Sequence, residues 1–392
     1  MIKNKNNLIL LLLLVLFAIG AFFFLANKKS SNDRAFNLKK PSKLMKADKE
    51  KDKKFEKAID PREFTFPHDH GPHKAFKTEW WYYTGNLEDE DSNEFGYQIT
   101  IFRNGLEPEK DSPKPKNNKW QSKQVYMAHF AISDIHNKKF YSFEKYSRDS
   151  VALAGAKAEP HQVWLKNWSI KSFDNKEGET FPVLITAKEK DIELQLELDP
   201  VKPITLQGLN GLSQKTQGLG NASYYYSISK LASVGNIKIK DKTYKVKGYS
   251  WLDREWSTSS LGDNLVGWDW FALQLSNDIE IMYYRLRDGE GGSDPHSSGV
   301  IIDSEGQSHS FSYKDIKLKE KGYFHSSYSD AKYPINWSME IPKIDLNINI
   351  KSNLKDQEHR NQYPYYEGSV SINGKFADKK IAGKGYMELV GY

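Results

Sequence analysis

From Pro67 onward the chain repeats short runs in which apolar and polar residues alternate, and Gly, Asn, Asp or Pro separates the runs. Alternation with a period of two is typical of β-strands that have one buried face. The runs at 125–132, 192–198 and 368–372 follow this pattern, whereas the period of a long amphipathic helix is scarce. The pattern therefore predicts an all-β fold with many short strands, as in sandwiches and barrels.

Turn-forming pairs and two aromatic runs add detail to this prediction. Asn210-Gly211 and Asn373-Gly374 each join two residues that tolerate positive φ angles, so we expect a turn between strands at each pair. The aromatic run WWYY in the first half has a weaker counterpart, WDWF, in the second half. This similarity favours two related barrels in tandem.

The N-terminus differs from the rest of the chain. Residues 8–26 are 19 positions without a polar side chain, which is long enough to cross a bilayer as a helix. A bulky Phe24 stands where signal cleavage requires a small residue, so we prefer an uncleaved anchor to a cleaved signal peptide. The predicted organisation is an anchor, a lysine-rich linker and two barrels, over residues 1–26, 27–61, 62–257 and 258–392.

The net charge of +6 is unevenly distributed. Residues 1–61 carry 14 Lys and Arg against 6 Asp and Glu, a net charge of +8, so the remainder carries 6 − 8 = −2. A nucleic-acid partner needs a basic patch on a folded face, and this distribution argues against one. The chain has no cysteine, which excludes disulfides, thiol nucleophiles, cysteine-bound zinc and a lipid-modified N-terminal cysteine.

Polar residues cluster just before the first aromatic run. His68, Asp69, His70 and His73 lie within six positions, and imidazole is a good ligand for zinc or copper. The alternative is a polar loop that hydrogen-bonds across a barrel mouth, which we prefer, so no metal site is predicted. His70 alone is a candidate acid–base group.

Glu79 precedes four adjacent aromatic residues, of which Trp80, Trp81 and Tyr83 are candidate binding residues. A carboxyl buried beside large apolar surfaces has a raised pKa and suits a general acid. A carboxylate that pairs with an arginine is the alternative for Glu79. Both interpretations are compatible with the sequence.

The segment GYSWLDREWS, at 248–257, carries the strongest candidate chemistry. As a strand it would place alternate residues on opposite faces: Trp251, Asp253 and Glu255 against Leu252, Arg254 and Trp256. Two carboxylates on one face repel each other, which separates their pKa values. Asp253 or Glu255 is therefore the preferred acid–base residue, and an interdomain salt-bridge cluster around Arg254 is the alternative.

A second aromatic segment has acidic and basic neighbours. Trp268 and Trp270 flank Asp269, and Tyr284 precedes Arg285 further along the chain. Alternate aromatic residues suit one wall of an apolar cavity, and Arg285 could pair with Asp269 or with Glu79. Core packing alone would also explain the aromatic residues.

Several enzyme classes lack their motifs in this chain. We find no Gly-x-Ser-x-Gly elbow, phosphate-binding loop, dinucleotide fingerprint or His-Glu-x-x-His motif. The sequence therefore predicts no cofactor and gives no support to a serine hydrolase.

Six segments occur in the order of a known family: FPHDHGPHKAFKTEWWYYTGNL, QVYMAHFAISD, GLSQKTQG, GYSWLDREWS, WDWFALQL and GKGYMELVGY. Together they resemble the AttH/carotenoid hydratase-like (hydroxyneurosporene synthase-like) group of lipocalin-like proteins, also called predicted secreted hydrolases. The resemblance covers nearly all of residues 67–392. It implies two tandem lipocalin-like β-barrels.

The resemblance also implies activities on large lipophilic molecules held between or within the barrels, including carotenoid hydration, related hydrations and pericyclase-type cyclisation. In such a hydration an acid protonates a C=C bond, aromatic faces stabilise the cation and water completes the addition. On this interpretation the acid is Asp253 or Glu255, and Arg254 balances the charge. The cation-stabilising walls are Trp80, Trp256 and Trp270.

Two other functions remain open at this point. The chain could carry a lipid or isoprenoid without chemistry, or it could be a metal-dependent hydrolase that uses His68, His70 and His73. A lipophilic small molecule is the expected partner in the first two cases.

The location follows from the N-terminal helix and from the resemblance. Lysines after the apolar span favour a cytoplasmic C-terminal side, whereas the resemblance implies export. We predict a membrane-anchored protein whose folded part is periplasmic or extracellular.

Overall fold

The computed structural model describes residues 52, 54–109, 122–174, 177–258, 262 and 264–392. The predicted anchor, 1–26, and most of the predicted linker, 27–61, lie outside these residues. Within the described ranges, no helix combines the length and apolar character that a membrane crossing requires. Ala58, near the end of the predicted linker, is buried in the core of the first sheet.

The described chain is all-β and forms two sheets. The first contains β1 (Thr78–Asp89), β2 (Glu94–Gly105), β3 (Gln124–Asp134), β4 (Lys139–Arg148), β5 (Ala154–Lys157), β6 (Gln162–Leu165), β7 (Trp168–Ser172), β8 (Val183–Glu189), β9 (Ile192–Pro200), β10 (Ile204–Leu206), β11 (Leu212–Gln214), β12 (Ala222–Ile239) and β13 (Lys242–Ser257). The second contains β14 (Leu265–Leu275), β15 (Glu280–Asp288), β16 (Ser298–Ile302), β17 (Ser308–Ser312), β18 (Lys317–His325), β19 (Lys332–Ile341), β20 (Leu346–Ser352), β21 (Glu358–His359), β22 (Tyr365–Phe376) and β23 (Lys379–Val390). Short 3-10 helices occupy His68–His70, Ser150–Ala152 and Pro342–Ile344.

The period of two seen in the sequence appears directly in the strands. In β20, Leu346, Ile348 and Ile350 are buried while the residues between them are exposed. Because successive side chains of a strand point to opposite faces, one face of β20 packs on the core and the other meets solvent. The all-β prediction is confirmed.

The two predicted turns have different outcomes. Asn210-Gly211 lies between β10 and β11 with positive φ at both residues, as predicted. The prediction for Asn373-Gly374 is wrong, because this pair lies inside β22. Gly374 is required there because a Cβ atom would collide with the β20 backbone. The chain instead reverses at 377–378, where both residues have positive φ, as in a type I′ hairpin.

The two sheets are both barrel-like, but they close to different extents. The first has the order β4-β3-β2-β1-β13-β12-β9-β8-β7-β6-β5, and β6 near one edge contacts β2, β3 and β4 near the other. It is therefore nearly closed. The second has the order β17-β16-β15-β14-β23-β22-β20-β19-β18 and forms a half-barrel.

Each sheet has its own apolar core, and a third apolar cluster lies between the sheets. Strand β13 shows how alternation serves two of these clusters: Leu252 and Trp256 enter the first core, whereas Trp251 faces the second sheet. Strand β14 behaves in the same way, because Phe271 enters the second core and Trp270 faces the first sheet. The central strands of both sheets thus present aromatic outer faces to each other.

A buried lysine joins the two sheets by polar contacts at one side of this interface. Lys202, in the loop after β9, donates hydrogen bonds to the backbone carbonyls of Asp278 and Asp303, each at 2.6 Å. It also forms an ion pair with Glu280 on β15. These contacts hold the second sheet against the first.

Candidate active site

A cavity of about 250 Å³ lies between the two sheets. Both sheets contribute aromatic side chains to its wall: Trp80, Tyr82, Phe102 and Tyr225 from the first, and Trp268, Trp270, Tyr284, Tyr363 and Tyr365 from the second half of the chain. The interior of the first barrel is packed by its own side chains, including Trp81 and Trp168. An apolar pocket with a few converging polar groups is the usual form of a small-molecule site, so this cavity is the candidate site.

Asp253 brings a carboxyl group into this aromatic cavity. Its Oδ1 atom accepts hydrogen bonds from Ser227 and from the Trp251 indole at 2.7 Å, and its Oδ2 atom accepts one from Tyr225 at 2.6 Å. Burial raises the pKa of Asp253, the three donors oppose this effect, and the Glu255 charge adds to it; the net result is a pKa of about 7. Asp253 can therefore hold a proton, and release it, near neutral pH.

Glu255 lies on the same face of β13 but has a different environment. It accepts a hydrogen bond from Ser223 and forms an ion pair with Lys215 at 3.0 Å. Burial disfavours the Lys215 charge, but the neighbouring Glu255 outweighs this effect and raises the pKa of Lys215. The two carboxyl groups of β13 thus differ, because Glu255 has a cation and Asp253 has only hydrogen-bond donors.

A second pair of carboxyl groups, which the sequence interpretation missed, belongs to the second sheet. Glu367 on β22 and Glu388 on β23 lie directly opposite each other, and Glu388 lines the cavity. Burial raises the pKa of Glu388 to about 7, and burial together with the Glu388 charge raises the pKa of Glu367 far above its usual range. The signal in the sequence was a glutamate inside each of two otherwise apolar strands, in YYEGSV and YMELV.

The hairpin at 377–378 determines this juxtaposition. Its two-residue loop pairs Phe376 with Lys379, and the antiparallel register continues without interruption to Glu367 and Glu388. Since neighbours directly opposite each other on one face have Cβ atoms about 5 Å apart, the two carboxyl groups are forced together. A one-residue slip would turn one of them to the other face.

Another polar group, which the sequence analysis did not choose as a site residue, lies elsewhere in the cavity wall. The Nδ1 atom of His129 is 2.8 Å from the Tyr365 hydroxyl, and its Nε2 atom is 3.2 Å from Glu144. His129 and Tyr365 both line the cavity, and they come from different sheets. This contact adds a polar anchor at a wall that is otherwise apolar.

The AttH-like family matches residues 57–392 of the sequence. The chain belongs to this family. The crystal structure of an AttH protein from Nitrosomonas europaea has a TM-score of 0.74 and 29% sequence identity to the chain, covering 86% of it and 100% of that protein.

Two enzymes are similar to part of this AttH-like chain. The dehydratase asqC from Emericella nidulans is 25% identical over 153 residues, and kievitone hydratase from Fusarium solani subsp. phaseoli is 26% identical over 159 residues. Each match covers 37% of this chain and about two fifths of the enzyme, 42% and 41% respectively.

The AttH-like chain places seven of the residues predicted from sequence around one cavity: Glu79, Trp80, Asp253, Glu255, Trp268, Trp270 and Tyr284. Four others, Trp81, Tyr83, Arg254 and Trp256, lie on the opposite faces of β1 and β13. Trp81, Tyr83 and Trp256 belong to the first core, and the Arg254 guanidinium stacks over the Trp81 ring at 3.9 Å. The alternation of side chains explains this division.

Glu79 borders the cavity, but arginines hold its carboxylate. It forms ion pairs with Arg103 and with Arg254, the latter at 2.5 Å, and accepts the backbone N–H of His73. Burial would raise the pKa of Glu79, but the two guanidinium groups outweigh this effect and hold it well below its usual range. A carboxylate that stays ionised is a poor proton donor, so the arginine-clamp interpretation describes Glu79 and the general-acid interpretation does not.

His70 lies inside the first barrel, away from the cavity residues. Its Nδ1 atom is 2.6 Å from the Tyr226 hydroxyl, and burial, with a further contribution from Arg254, lowers the pKa of His70 to about 3. His70 is therefore neutral at ordinary pH, and it does not meet Asp253. His68 is exposed on the same short helix, and the part of the chain described here contains no group of three potential metal ligands.

Asp269 and Arg285 form an ion pair at 2.5 Å, as one of the sequence interpretations expected, but on the faces of β14 and β15 that turn away from the cavity. Asp269 also accepts a hydrogen bond from Tyr392 at 2.6 Å, and Arg285 contacts Glu320 at 2.7 Å. These two residues stabilise the second sheet instead of contacting a ligand in the cavity.

Proposed function

We propose that this protein adds water to, or removes water from, a lipophilic substrate held between the two sheets, with Asp253 as the proton donor or acceptor. The observation that carries the proposal is a carboxyl group with a pKa of about 7 in an aromatic cavity. The hydratase and dehydratase among its relatives support the same type of reaction.

The surroundings of Asp253 suit a group that loses its proton during the reaction. When Asp253 protonates a C=C bond, the π electrons form the new C–H bond and the carboxyl becomes a carboxylate. Tyr225, Ser227 and Trp251 already point their donors at this carboxylate, so they stabilise the charge that develops. Preorganised donors of this kind lower the barrier because they need no rearrangement during the step.

The aromatic walls suit the other product of proton transfer. Protonation of an alkene leaves a positive charge on the adjacent carbon, and the faces of Trp and Tyr rings attract cations. Trp80 and Trp270 line the same cavity as Asp253. A carbocation, or a transition state that resembles one, would therefore be stabilised where it forms.

The size of the cavity narrows the substrate class. Its volume of about 250 Å³ is slightly below the usual range of about 300–1,000 Å³ for drug-sized ligands. A compact lipophilic molecule, or one end of a longer isoprenoid, fits this space better than a long chain held entirely inside it.

The proposal can be tested with labelled water. The full chain in detergent is incubated in heavy-oxygen water with one of two probes. The first probe is kievitone, and the second is a lipid extract of the cells that produce the protein. Products are analysed by mass spectrometry. With the wild type and with Asp191→Asn, an exposed control, we expect products that have gained labelled water or have lost water. With Asp253→Asn we expect a rate about 10²–10⁴-fold lower.

The other outcomes decide between the remaining functions. Equal labelling by Asp253→Asn and wild type would exclude Asp253 as the proton donor. A lipid that co-purifies unchanged with both proteins, without any labelled product, would instead favour a non-catalytic carrier.

A further inference from the structure

We propose that Glu388, which shares a proton with Glu367, is a second proton-transfer group of the cavity and works opposite Asp253. This inference rests on the proposed function, because it assigns the second half of the same reaction. It gives a role to two carboxyl groups that proton transfer by Asp253 does not use.

The positions of the two carboxyl groups give them different roles: Glu388 can contact a substrate, and Glu367 cannot. Glu367 is fully buried, whereas Glu388 is partly exposed and lines the cavity. Glu388 belongs to the second sheet and Asp253 to the first, so the cavity has a carboxyl group from each side. A substrate between the sheets would contact Asp253 and Glu388, while Glu367 stays behind Glu388.

The hydrogen bonds around the pair leave room for one shared proton. Tyr82 donates to the Oε1 atom of Glu367, and Trp268 donates to the Oε1 atom of Glu388 at 2.5 Å. The Oε2 atom of Glu367 is buried and receives no donor from another residue. Among the described residues, neither carboxyl has a lysine or arginine partner within ion-pair distance.

Electrostatics then determines how many protons the pair holds. Two carboxylates in contact, of which Glu367 is fully buried, cannot both be ionised without a cation, so one proton stays on the pair. The pKa of Glu367 is far above its usual range, mainly through burial and the Glu388 charge, so Glu367 holds this proton. Burial, with repulsion from Asp253 and Glu255, raises the pKa of Glu388 to about 7, although Trp268 and Glu367 donate hydrogen bonds to it.

Near neutral pH the pair is therefore in the state that a general base requires. Glu388 is ionised in a large fraction of molecules, and Glu367 beside it is protonated. A base is most effective when its pKa is close to the working pH. Asp253 has a similar pKa and is protonated in a comparable fraction of molecules.

The complete addition then balances without another reactant. Asp253 gives its proton to one carbon of the C=C bond, and the π electrons form the C–H bond. A lone pair of a water molecule forms the C–O bond at the other carbon, while a water O–H bond breaks and its proton moves to the Glu388 carboxylate. Asp253 ends as a carboxylate and Glu388 as a neutral acid, and exchange with solvent water restores both.

Removal of water uses the same groups in the opposite roles. Protonated Glu388 gives its proton to the leaving hydroxyl group, the C–O bond breaks, and the Asp253 carboxylate takes a proton from the neighbouring carbon. Each carboxyl group can give or take a proton, so the same two groups serve both directions.

The first test measures the shared proton without a substrate. Infrared spectroscopy of the full chain detects the C=O band of a protonated carboxylic acid during a pH titration. We expect a band in the wild type that persists above about pH 8, because Glu367 keeps its proton. Glu367→Gln should remove this band. Glu388→Gln should shift the loss of the band to lower pH, because Glu367 is then still buried but no longer faces the Glu388 charge. Glu358→Gln, a buried control outside the cavity, should retain the wild-type band. Absence of the band in the wild type, or its survival in Glu367→Gln, would overturn the proposal.

The second test measures turnover with the labelled-water assay. Glu388→Gln should lower kcat by about 10²–10⁴-fold with little change in KM, and Glu388→Asp should restore part of the loss. Wild-type turnover by Glu388→Gln would overturn the inference while the proposed function stands. If the infrared band is present but the wild type labels no probe, the proposed function and the catalytic role of Glu388 both fail, and only the shared proton remains.

Discussion

Replacing Asp253 by asparagine should change how the stability of the fold depends on pH. The Asp253 carboxyl has a pKa of about 7 in the folded chain and an ordinary value of 3.8. Between these values the folded state binds a proton that the unfolded state has released, so the free energy of unfolding falls as the pH rises. The difference of about three units between these pKa values corresponds to about 4 kcal/mol in the free energy of unfolding. The wild type loses this stability as the pH rises. Asp253→Asn does not lose it, because asparagine is neutral at every pH.

Urea unfolding followed by tryptophan fluorescence can measure this difference. From about pH 5 to about pH 8, the free energy of unfolding of Asp253→Asn should rise relative to the wild type by about 3 kcal/mol. The difference between Asp191→Asn and the wild type should stay near zero, since Asp191 is exposed. Parallel pH profiles for Asp253→Asn and the wild type would show that Asp253 is ionised like an ordinary aspartate and would remove the basis for its role as an acid.

Two further substitutions test the buried ion pairs. Glu79→Gln should lower the free energy of unfolding by about 3–5 kcal/mol, because Arg103 and Arg254 would be left buried without their carboxylate; a loss below about 1 kcal/mol in urea unfolding would contradict the clamp interpretation. Lys215→Met should destabilise the fold by about 1–3 kcal/mol, because the buried Glu255 would lose its cation. The double variant with Glu255→Gln should recover most of that loss, and failure to recover it would show that Lys215 acts through packing alone.

The faces of individual strands could be predicted from the sequence because alternation is a local property. The period of two assigns Trp251, Asp253 and Glu255 to one side of β13 before its neighbours are known, and the structure places these residues towards the second sheet. The same argument separates Trp80 from Trp81. Local geometry was sufficient for these assignments.

The charge state of each carboxyl could not be predicted in this way, because it depends on distant partners. Glu79 meets Arg254 only because β1 pairs with β13, which follows it in the sequence by more than 150 residues. Glu367 and Glu388 come together through a hairpin whose turn lacks the usual Asn-Gly pair, while a true Asn-Gly pair lies within the preceding strand. Neither acid adjoins the aromatic runs WWYY and WDWF.

The position of the cavity between two sheets has a consequence for how this protein can change over evolutionary time. Asp253 is fixed to one sheet and Glu388 to the other, so their separation depends on the angle at which the sheets meet. Substitution of a residue that joins the two sheets outside the cavity, such as Lys202, would alter that angle and change the reactivity of the site. Both acids and the aromatic walls would stay the same. New substrates could therefore arise in this lineage through a change in docking between the two halves, without any replacement of a reactive group.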